Sequence, residues 1–402
     1  SFSDILGLIA RIGASLDACG FGRGDRIAVV HPGGIDLATA IVGIWSHATV
    51  IPLGPGHRLG EYAMYLRDLR ADAIAIPAGR VAPAREAAAH LGLPVLDLVP
   101  EDGDGTGRIR LEGPGSGRAH EPGLARPDDV AAVMMTSGTT LERKLVPRRQ
   151  SQLVLRAEDY ARMLAFTPDE RGVNLMQLHH GAGLGAITYA PFAGGSVAHF
   201  PGKDLARIFR CLEDLRPTHI SGPYTVFHAI LNQRERLQPS IDRIRPHLRM
   251  LRTGSGHLDM GVAARLEALF GVPVIQAYSS SETGFVACEP LPPEPRKRGS
   301  VGLPGSTDVA VVDDNGNRQP ANAVGEVVVR GPKIFGGYEH NPRANAEAFR
   351  DGWFRMGDLG YFDADGYLFL TGRIKEIINR GGQKIMPAEV DAALTTASCG
   401  GI

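Results

Sequence analysis

The sequence lacks the features that mark several large classes of protein. Only 4 of its 402 residues are cysteines, and Cys19, Cys211, Cys288 and Cys399 lie far apart without a C-x-x-C pair. This spacing argues against a disulfide framework and against a zinc site. We therefore expect inert thiols and a cytoplasmic location, where the environment is reducing.

Neither a strong charge of one sign nor a long hydrophobic run is present. The formal net charge is −1, so no basic excess indicates nucleic-acid binding. The most apolar window, residues 37–53, is interrupted by Ser46, His47 and Pro52, which predicts a helix and a strand rather than a membrane span. No signal-peptide pattern follows Ser1, and because the chain starts within a helical pattern we expect an initiating segment to be missing.

What the sequence does contain is a regular alternation of helical and extended patterns. Over the first hundred residues this alternation predicts a parallel sheet covered on both faces. The predicted helices are 2–16, 35–46, 60–69 and 82–91, and the predicted strands are 26–30, 49–53, 73–76 and 95–98. Residues 101–128 are rich in glycine, proline and charge, which predicts an irregular surface connection.

The alternation then resumes and later changes character. The predicted strands are 130–135, 173–178, 219–221, 250–253 and 274–278, and the predicted helices are 151–165, 203–214 and 260–269. From about residue 299 the patterns become short strands and turns, including 309–312, a hairpin signal at Asp313-Asp314-Asn315-Gly316, and 325–330. This part predicts a smaller β-rich subdomain.

The stretch after the strand at 130–135 has the composition of an anion-binding loop. It reads Thr136-Ser137-Gly138-Thr139-Thr140-Leu141-Glu142-Arg143-Lys144. Glycine lets backbone N–H groups approach an oxyanion, hydroxyls add donors, and lysine adds a mobile positive charge. A triphosphate needs all of these, although the spacing is not that of a Walker loop. An ordinary polar strand-to-helix turn remains an equally open alternative.

Five motifs in order resemble those of the adenylate-forming enzymes, which include acyl-CoA synthetases, luciferases and the adenylation domains of peptide synthetases. Residues 136–144 resemble T-S-G-T-T-G-x-P-K, and 278–282 (Y-S-S-S-E) resemble Y-G-x-T-E. Residues 352–358 match G-W-x-x-T-G-D, and 367–376 match Y-L-x-x-x-G-R-x-K/D-x, with 381–390 following in the family's order. Each motif alone is weak or moderate, but together they span almost the whole chain.

The resemblance implies a fold and a domain organisation. It implies an α/β protein whose large N-terminal domain (1–372) contains two parallel-type α/β subdomains (about 1–298) and a small β-rich subdomain (about 299–372). Residues 373–402 would form the hinge and only the start of the mobile C-terminal α+β domain. The catalytic lysine near the C-terminus of the family has no counterpart here, so either the chain is truncated or it cannot adenylate efficiently by the usual route.

The resemblance also implies a reaction. A carboxylic acid is activated with ATP and Mg²⁺ to an acyl-adenylate, pyrophosphate leaves, and a thiol then takes the acyl group. The thiol would belong to coenzyme A or to the phosphopantetheine of a carrier protein. Three hypotheses remain open: an acyl-CoA synthetase, an adenylation domain that loads a carrier protein, and a degenerate nucleotide- or acyl-binding protein.

The family's nucleotide-binding roles carry over by motif. Lys144 and the loop residues would hold the β- and γ-phosphates, Ser281 the α-phosphate, and Glu282 the Mg²⁺; the residues placed at the reaction itself are Thr136, Lys144, Ser281 and Glu282. The ribose would contact Asp358 and Arg373, Tyr278 would stack on adenine, and Lys375 would be the hinge. The full nucleotide-binding set is Thr136, Ser137, Gly138, Thr139, Thr140, Lys144, Gly254, Ser255, Gly256, Tyr278, Ser281, Asp358 and Arg373.

Several of these residues have structural alternatives or depart from the family pattern. Glu282 is also compatible with an acid at the start of a surface helix, Asp358 with a turn aspartate, and Arg373 and Lys375 with exposed surface residues. The departures are Leu141 for the usual glycine, Arg143 for proline, and His257 where proline is common. The leucine should stiffen the loop, whereas the arginine could add a phosphate contact.

The residues expected around the acid are His179, Gly256, Ser279 and Ser280. A core histidine is a close alternative for His179, and because adjacent histidines in a strand point to opposite faces, we expect no two-histidine metal site there. Residues 175–184 contain no aspartate, and a buried ammonium without a counter-charge is costly. We therefore expect a small acid without an α-amino group, and residues 373–390 resemble acyl-CoA and oxalyl-CoA synthetases most.

Overall fold

The computed structural model describes residues 1–385 except 104, 116, 118, 120, 137–142, 201–203, 255–258, 377 and 381–382. The chain begins with the predicted alternation of helices and strands. These are α1 (Phe2–Ala18), β1 (Arg26–Val30), α2 (Gly34–Trp45), β2 (Thr49–Leu53), α3 (Leu59–Asp68), β3 (Ala73–Pro77), α4 (Ala82–Leu91), β4 (Val95–Pro100), β5 (Ile109–Glu112), β6 (Val130–Thr136) and β7 (Lys144–Arg149).

The first sheet has the order β5-β4-β3-β1-β2-β6-β7, with the five inner strands parallel. Ile27 and Val29 of β1 face a core formed with α1 and α2. Ala28 and Val30 face the opposite core, formed with α3 and α4. Because successive strand residues point to opposite faces, the fully apolar strand is explained by burial on both sides.

The two edge strands correct the sequence interpretation. The segment 101–128, expected to be irregular, contains β5, which pairs antiparallel with β4. The strand before the predicted anion-binding loop is followed not by a helix but by β7, which runs antiparallel to β6 with Thr136 opposite Lys144. Lys144 thus begins a strand. Ile109 and Leu111 explain β5, because they bury one face of a short alternating strand.

The remainder of the chain forms the second half of the molecule. Its first elements are α5 (Gln150–Met163), β8 (Arg171–Asn174), α6 (Gly181–Phe192), β9 (Ser196–His199), α7 (Leu205–Leu215), β10 (His219–Pro223), α8 (Tyr224–Asn232), α9 (Arg234–Ile244), a 3₁₀ turn (Arg245–His247), β11 (Met250–Gly254), α10 (Met260–Phe270), β12 (Val274–Ser280) and β13 (Gly284–Cys288). They are followed by β14 (Ser300–Pro304), β15 (Asp308–Val312), β16 (Gly325–Arg330), α11 (Pro342–Ala348), β17 (Phe349–Arg350), β18 (Trp353–Phe362), β19 (Leu368–Arg373), a 3₁₀ turn (Ile374–Glu376), β20 (Ile378–Arg380) and β21 (Gln383–Ile385).

The second sheet is mixed. Its path is β15-β16-β18-β19-β14-β13-β12-β11-β10-β8-β9, with β17 paired to β18. Strands β9, β8, β10, β11 and β12 are parallel, as predicted, and the strands that follow are antiparallel. The strands after residue 299 join this sheet where β13 pairs with β14. The division of the chain into domains stays a prediction.

Two local predictions in this half were wrong. The strand expected at 173–178 ends at Asn174, because the Asn174 side chain accepts a hydrogen bond from the Met176 N–H (2.9 Å) and starts a turn. The turn expected at 313–316 does form, but the chain returns only as an isolated bridge, and β15 pairs with the later strand β16. Because β8 ends at Asn174, the adjacent histidines His179 and His180 lie in the turn that follows it.

No helix within the described residues combines the length and the apolar character needed to cross a membrane.

Candidate active site

A cavity of about 670 Å³ lies where the two sheets meet. Strand β7 and helix α5 form one wall, α6 forms a second, and residues of β11, β12, β13, β18 and β19 complete it. The cavity brings together six residues that the motifs had placed in the site, namely Tyr278, Ser279, Ser280, Ser281, Asp358 and Arg373. Tyr278, Asp358 and Arg373 are far apart in sequence, and they meet because β12, β18 and β19 lie in the same sheet.

Asp358 is held in the cavity wall by two donors. The Tyr278 hydroxyl donates to Asp358 Oδ2 at 2.5 Å, and Arg373 Nε donates to Asp358 Oδ1 at 2.9 Å. Burial raises the pKa of Asp358, while the hydrogen bond from Tyr278 and the charge of Arg373 oppose the rise. The result is an oriented carboxylate that can accept hydrogen bonds from a ligand in the cavity.

Glu282 and Lys144 meet at one tyrosine that the motifs did not indicate. The Tyr338 hydroxyl donates to Glu282 Oε1 at 2.9 Å, and Lys144 Nζ lies 4.5 Å from the centroid of the Tyr338 ring. A cation over an aromatic face is held by the negative potential of the ring. Tyr338 therefore places the lysine after the predicted anion-binding loop close to the acid predicted to bind Mg²⁺.

The turn that carries Ser281 and Glu282 is fixed by two buried arginines. Arg148 Nε donates to the Ser281 carbonyl (3.3 Å), and Arg156 Nη1 reaches the same oxygen (3.4 Å). Arg156 Nη2 donates to the Glu282 carbonyl at 2.8 Å. Neither arginine was expected in the site. A signal for Arg148 was present, because it shares a face of β7 with the fully buried Val146.

One carboxylate at this position suits Mg²⁺ held mainly by phosphate oxygens and water. In the described ranges, no group of three or more His, Cys, Asp or Glu side chains could hold a metal ion. Glu282 could supply a single oxygen ligand beside Lys144, and Mg²⁺ commonly takes one or two carboxylates together with substrate phosphates. The donor set thus fits a Mg²⁺ ion that a bound nucleotide would bring to the site.

The adjacent histidines are placed differently from the expectation. His180, not His179, lines the cavity. His179 lies against Gly54, where an added Cβ would meet His179 Nε2 at 3.3 Å. Burial, with His180 and then His57 nearby, lowers the pKa of His179 to about 4. Because β8 ends at Asn174, the two rings are not bound to the alternating directions of strand residues.

The other predicted site residues are only partly described. Thr136 ends β6, Gly254 ends β11 two residues after the cavity residue Arg252, and Lys375 is exposed in the 3₁₀ turn. Arg143 is directed away from the site, since Arg143 Nη1 pairs with Asp68 Oδ2 at 2.8 Å. Ser137, Gly138, Thr139, Thr140 and Leu141, as well as Ser255, Gly256 and His257, lie outside the described residues.

Two α/β sheets that meet over this cavity are the architecture of the large domain of adenylate-forming enzymes. The structure resembles that of ATP-bound MatB from Rhodopseudomonas palustris, with a TM-score of 0.83 and 26% sequence identity over 98% of this chain and 77% of that one. The AMP-binding enzyme family matches residues 1–339. The chain belongs to this family.

Curated relatives agree over most of the chain. It is 34% identical to an oxalate–CoA ligase of Arabidopsis thaliana over 383 residues, which cover 94% of this chain and 74% of that protein. It is 32% identical to a sulfoacetate–CoA ligase of Cupriavidus necator over 394 residues, which cover 95% of this chain and 74% of that protein.

Proposed function

We propose that this protein is an AMP-forming acid–CoA ligase that acts on a small carboxylic acid without an α-amino group. A carboxylate oxygen of the acid forms a bond to the α-phosphorus of ATP, and the bond to pyrophosphate breaks. The sulfur of coenzyme A then bonds to the acyl carbon, its proton is released, and AMP leaves with the carboxylate oxygen. Most of the catalysis of the first step is positioning and charge neutralisation.

The observation that carries this proposal is the common location of the predicted phosphate and ribose residues. Strand β12 and the turn after it carry Tyr278 at one end and Glu282 at the other. Tyr278 contacts Asp358 and so marks the ribose side. Glu282 contacts Tyr338, over which Lys144 lies, and so marks the triphosphate side. A nucleotide laid along this segment would contact both.

The remaining roles follow the same direction. Thr136, Ser137, Gly138, Thr139 and Thr140 would bind the β- and γ-phosphates with Lys144. Ser281 would bind the α-phosphate, Glu282 would ligate a Mg²⁺ that neutralises phosphate charge, and Gly254, Ser255 and Gly256 would lie beside the adenine. Lys375 remains the proposed hinge, and a cytoplasmic location remains the expectation from the cysteine pattern.

The small acid is supported by the relatives and by the site. Oxalate and sulfoacetate, the acids named for two relatives, are small and have no amino group. Among the described cavity residues, Asp358 is the one carboxylate, and it is the proposed acceptor for the ribose hydroxyls of the nucleotide. An ammonium group of a substrate would thus have no free counter-charge there.

Coenzyme A is the favoured thiol acceptor, because relatives over nearly the whole chain are CoA ligases. The carrier-protein and degenerate-protein hypotheses are tested in the same assay. The full-length protein is incubated with ATP, Mg²⁺ and a panel of small acids, and pyrophosphate release and thioester formation are measured with coenzyme A or with a phosphopantetheinylated carrier protein. We expect acid-dependent pyrophosphate release and a CoA thioester. ATP binding without pyrophosphate release with any acid would contradict the proposal.

A further inference from the structure

Three arginines that line the cavity are buried without a salt-bridge partner, although the charge of Glu282 acts on two of them, Arg148 and Arg156. Arg148, Arg156 and Arg252 are only 4%, 4% and 3% exposed. No salt bridge joins any of them to an acidic side chain in the part of the chain that the structure describes. The fourth arginine of the cavity, Arg373, is paired with Asp358, the one acid among the described residues that line it. Arg252 is therefore the least compensated of the three buried charges.

Such an arrangement costs free energy in the protein alone. Taking a guanidinium out of water is unfavourable unless a counter-charge and hydrogen bonds compensate for the loss. Burial lowers the pKa of Arg156 to about 9 and that of Arg252 to about 10, so both remain cationic at neutral pH. Buried groups without partners mark positions at which a ligand can supply what the fold does not.

The charges fall into two groups along α5. Arg148 and Arg156 interact electrostatically with each other, and both reach the Ser281 carbonyl. Arg252 lies instead over Tyr160, with its guanidinium carbon 4.6 Å from the ring centroid. Arg156 and Tyr160 are four residues apart on α5 and therefore lie on the same side of that helix, one turn apart along its axis.

The group formed by Arg252 and Tyr160 contains hydrogen-bonding atoms that have no partner. In the described residues, the Tyr160 hydroxyl and Arg252 Nε are buried and have no hydrogen-bond partner. Both belong to side chains that line the cavity. The Tyr160 ring is also stacked on Tyr189 at a centroid distance of 3.8 Å, which holds it in place. A hydroxyl and a guanidinium side by side can both donate to one oxyanion.

We propose that the acid substrate is a short dianion, with a second oxyanion bound by Arg252 and the Tyr160 hydroxyl. Its reacting carboxylate would lie by Arg148, Arg156 and Ser281, beside the proposed position of the α-phosphate. This proposal rests on the proposed ligase function and names the substrate class. The second group is a carboxylate or a sulfonate, and a short carbon skeleton joins it to the reacting carboxylate. An apolar tail at this position would leave Arg252 buried and unpaired.

The test compares acids that differ in one charge. Malonate and succinate are each assayed against their monomethyl esters with the full-length protein, ATP, Mg²⁺ and coenzyme A, and oxalate and sulfoacetate extend the series to other lengths and to a sulfonate. We expect kcat/KM to favour the best dianion over its ester by about 100-fold, the size expected for a charged hydrogen bond. Preference for sulfoacetate over every dicarboxylate would identify the second group as a sulfonate.

The variant Arg252→Met tests the residue itself, with the exposed Arg265→Met as the matched control. We expect Arg252→Met to abolish most of the preference for the dianion, while the KM for ATP changes by less than about twofold. It should also unfold at a higher temperature than the wild type without ligands, because a buried unpaired charge is replaced by an apolar side chain. A merely structural arginine would give the opposite shift.

The outcomes separate this inference from the ligase function. Equal use of a dianion and its monoester by the wild type would overturn the inference and leave the ligase function standing. The inference would also be overturned if Arg252→Met unfolded at a lower temperature than the wild type and kept the preference for the dianion. Absence of thioester formation with every acid, charged or esterified, would instead contradict the ligase function. If Arg252→Met does not fold, Tyr160→Phe is used, with a smaller expected loss of preference.

Discussion

The Tyr278 hydroxyl donates a hydrogen bond to the Asp358 carboxylate at 2.5 Å, across 80 positions of sequence. This contact ties the end of β12 to β18 and orients Asp358 into the cavity. Arg373 completes the arrangement from β19 by donating to the other carboxylate oxygen at 2.9 Å. Because the hydrogen bond and the charge both favour the ionised acid, they keep Asp358 competent to accept from the ribose hydroxyls of the proposed nucleotide.

Replacing Tyr278 with phenylalanine should weaken ATP binding, most strongly at acidic pH. Burial raises the pKa of Asp358, and the Tyr278 hydrogen bond opposes this rise, so the variant should raise that pKa further. A protonated Asp358 accepts hydrogen bonds less well. As the pH is lowered, the variant should therefore lose affinity for ATP at a higher pH than the wild type does. We expect about tenfold weaker binding, measured as the ATP dissociation constant between pH 5 and 8. Tyr361→Phe, on the strand β18 that carries Asp358, is the control. Identical pH profiles for wild type and Tyr278→Phe would contradict the prediction.

The basic pair at Arg143 and Lys144 offers a matched comparison. Lys144 lies over the Tyr338 ring next to Glu282, whereas Arg143 pairs with Asp68 on α3. We expect Lys144→Ala to weaken ATP binding by about tenfold or more through the loss of a phosphate contact. Arg143→Ala should leave the affinity nearly unchanged, which isothermal titration can measure for both. If Arg143→Ala weakened ATP binding more than Lys144→Ala did, the triphosphate would lie on the α3 side.

Glu282→Gln should change the metal dependence of the reaction. The substitution keeps the shape of the side chain and its contact with Tyr338 but removes the charge proposed to bind Mg²⁺. We expect the Mg²⁺ concentration for half-maximal activity to rise by about tenfold, because the cation loses its one protein carboxylate. Tyr338→Phe removes only the hydroxyl that orients this acid, and a smaller rise is expected. An unchanged magnesium titration of Glu282→Gln would assign Glu282 another role.

His199 should make the protein sensitive to acid. Its Nδ1–H donates to the Asn174 carbonyl (3.1 Å), and burial lowers the pKa of His199 to about 4. The unfolded chain takes up this proton near pH 6.5, so the free energy of unfolding should fall as pH drops from about 6.5 to 4, by at most about 3 kcal/mol. His199→Asn should flatten this part of the pH profile, measured by urea unfolding. The exposed His228→Asn is the control, and an equal slope in both variants would contradict the assignment.

The sequence predicts the first sheet well because its strands are specified locally. Strands such as β1 are apolar on both faces, and the helices between them have one apolar face, so periodicity alone defines the elements. Where a side chain decides the backbone, periodicity misleads: Asn174 ends β8 four residues early through its hydrogen bond to the Met176 N–H. The edge strand β5 was missed because its alternating Ile109 and Leu111 lie in a glycine-rich segment.

The candidate site was predictable only where motifs carry it. Tyr278, Ser281, Asp358 and Arg373 could be named from motif spacing, and the cavity brings them together. Tyr338 could not be named, because its role depends on contacts with Lys144 and Glu282, both more than fifty positions away. The same holds for the buried arginines, whose neighbours are set by the packing of the two sheets. Local patterns do not encode such long-range contacts.

The central claim is that one nucleotide extends from Lys144 and Glu282 to Asp358 and Arg373. It is tested most directly by measuring the dissociation constants of ATP and of AMP for Lys144→Ala and Asp358→Asn. Since AMP has no β- or γ-phosphate, we expect Lys144→Ala to weaken ATP binding and spare AMP, whereas Asp358→Asn should weaken both by the same factor. If Lys144→Ala weakens AMP as much as ATP, or if Asp358→Asn affects neither, the nucleotide does not lie along this segment.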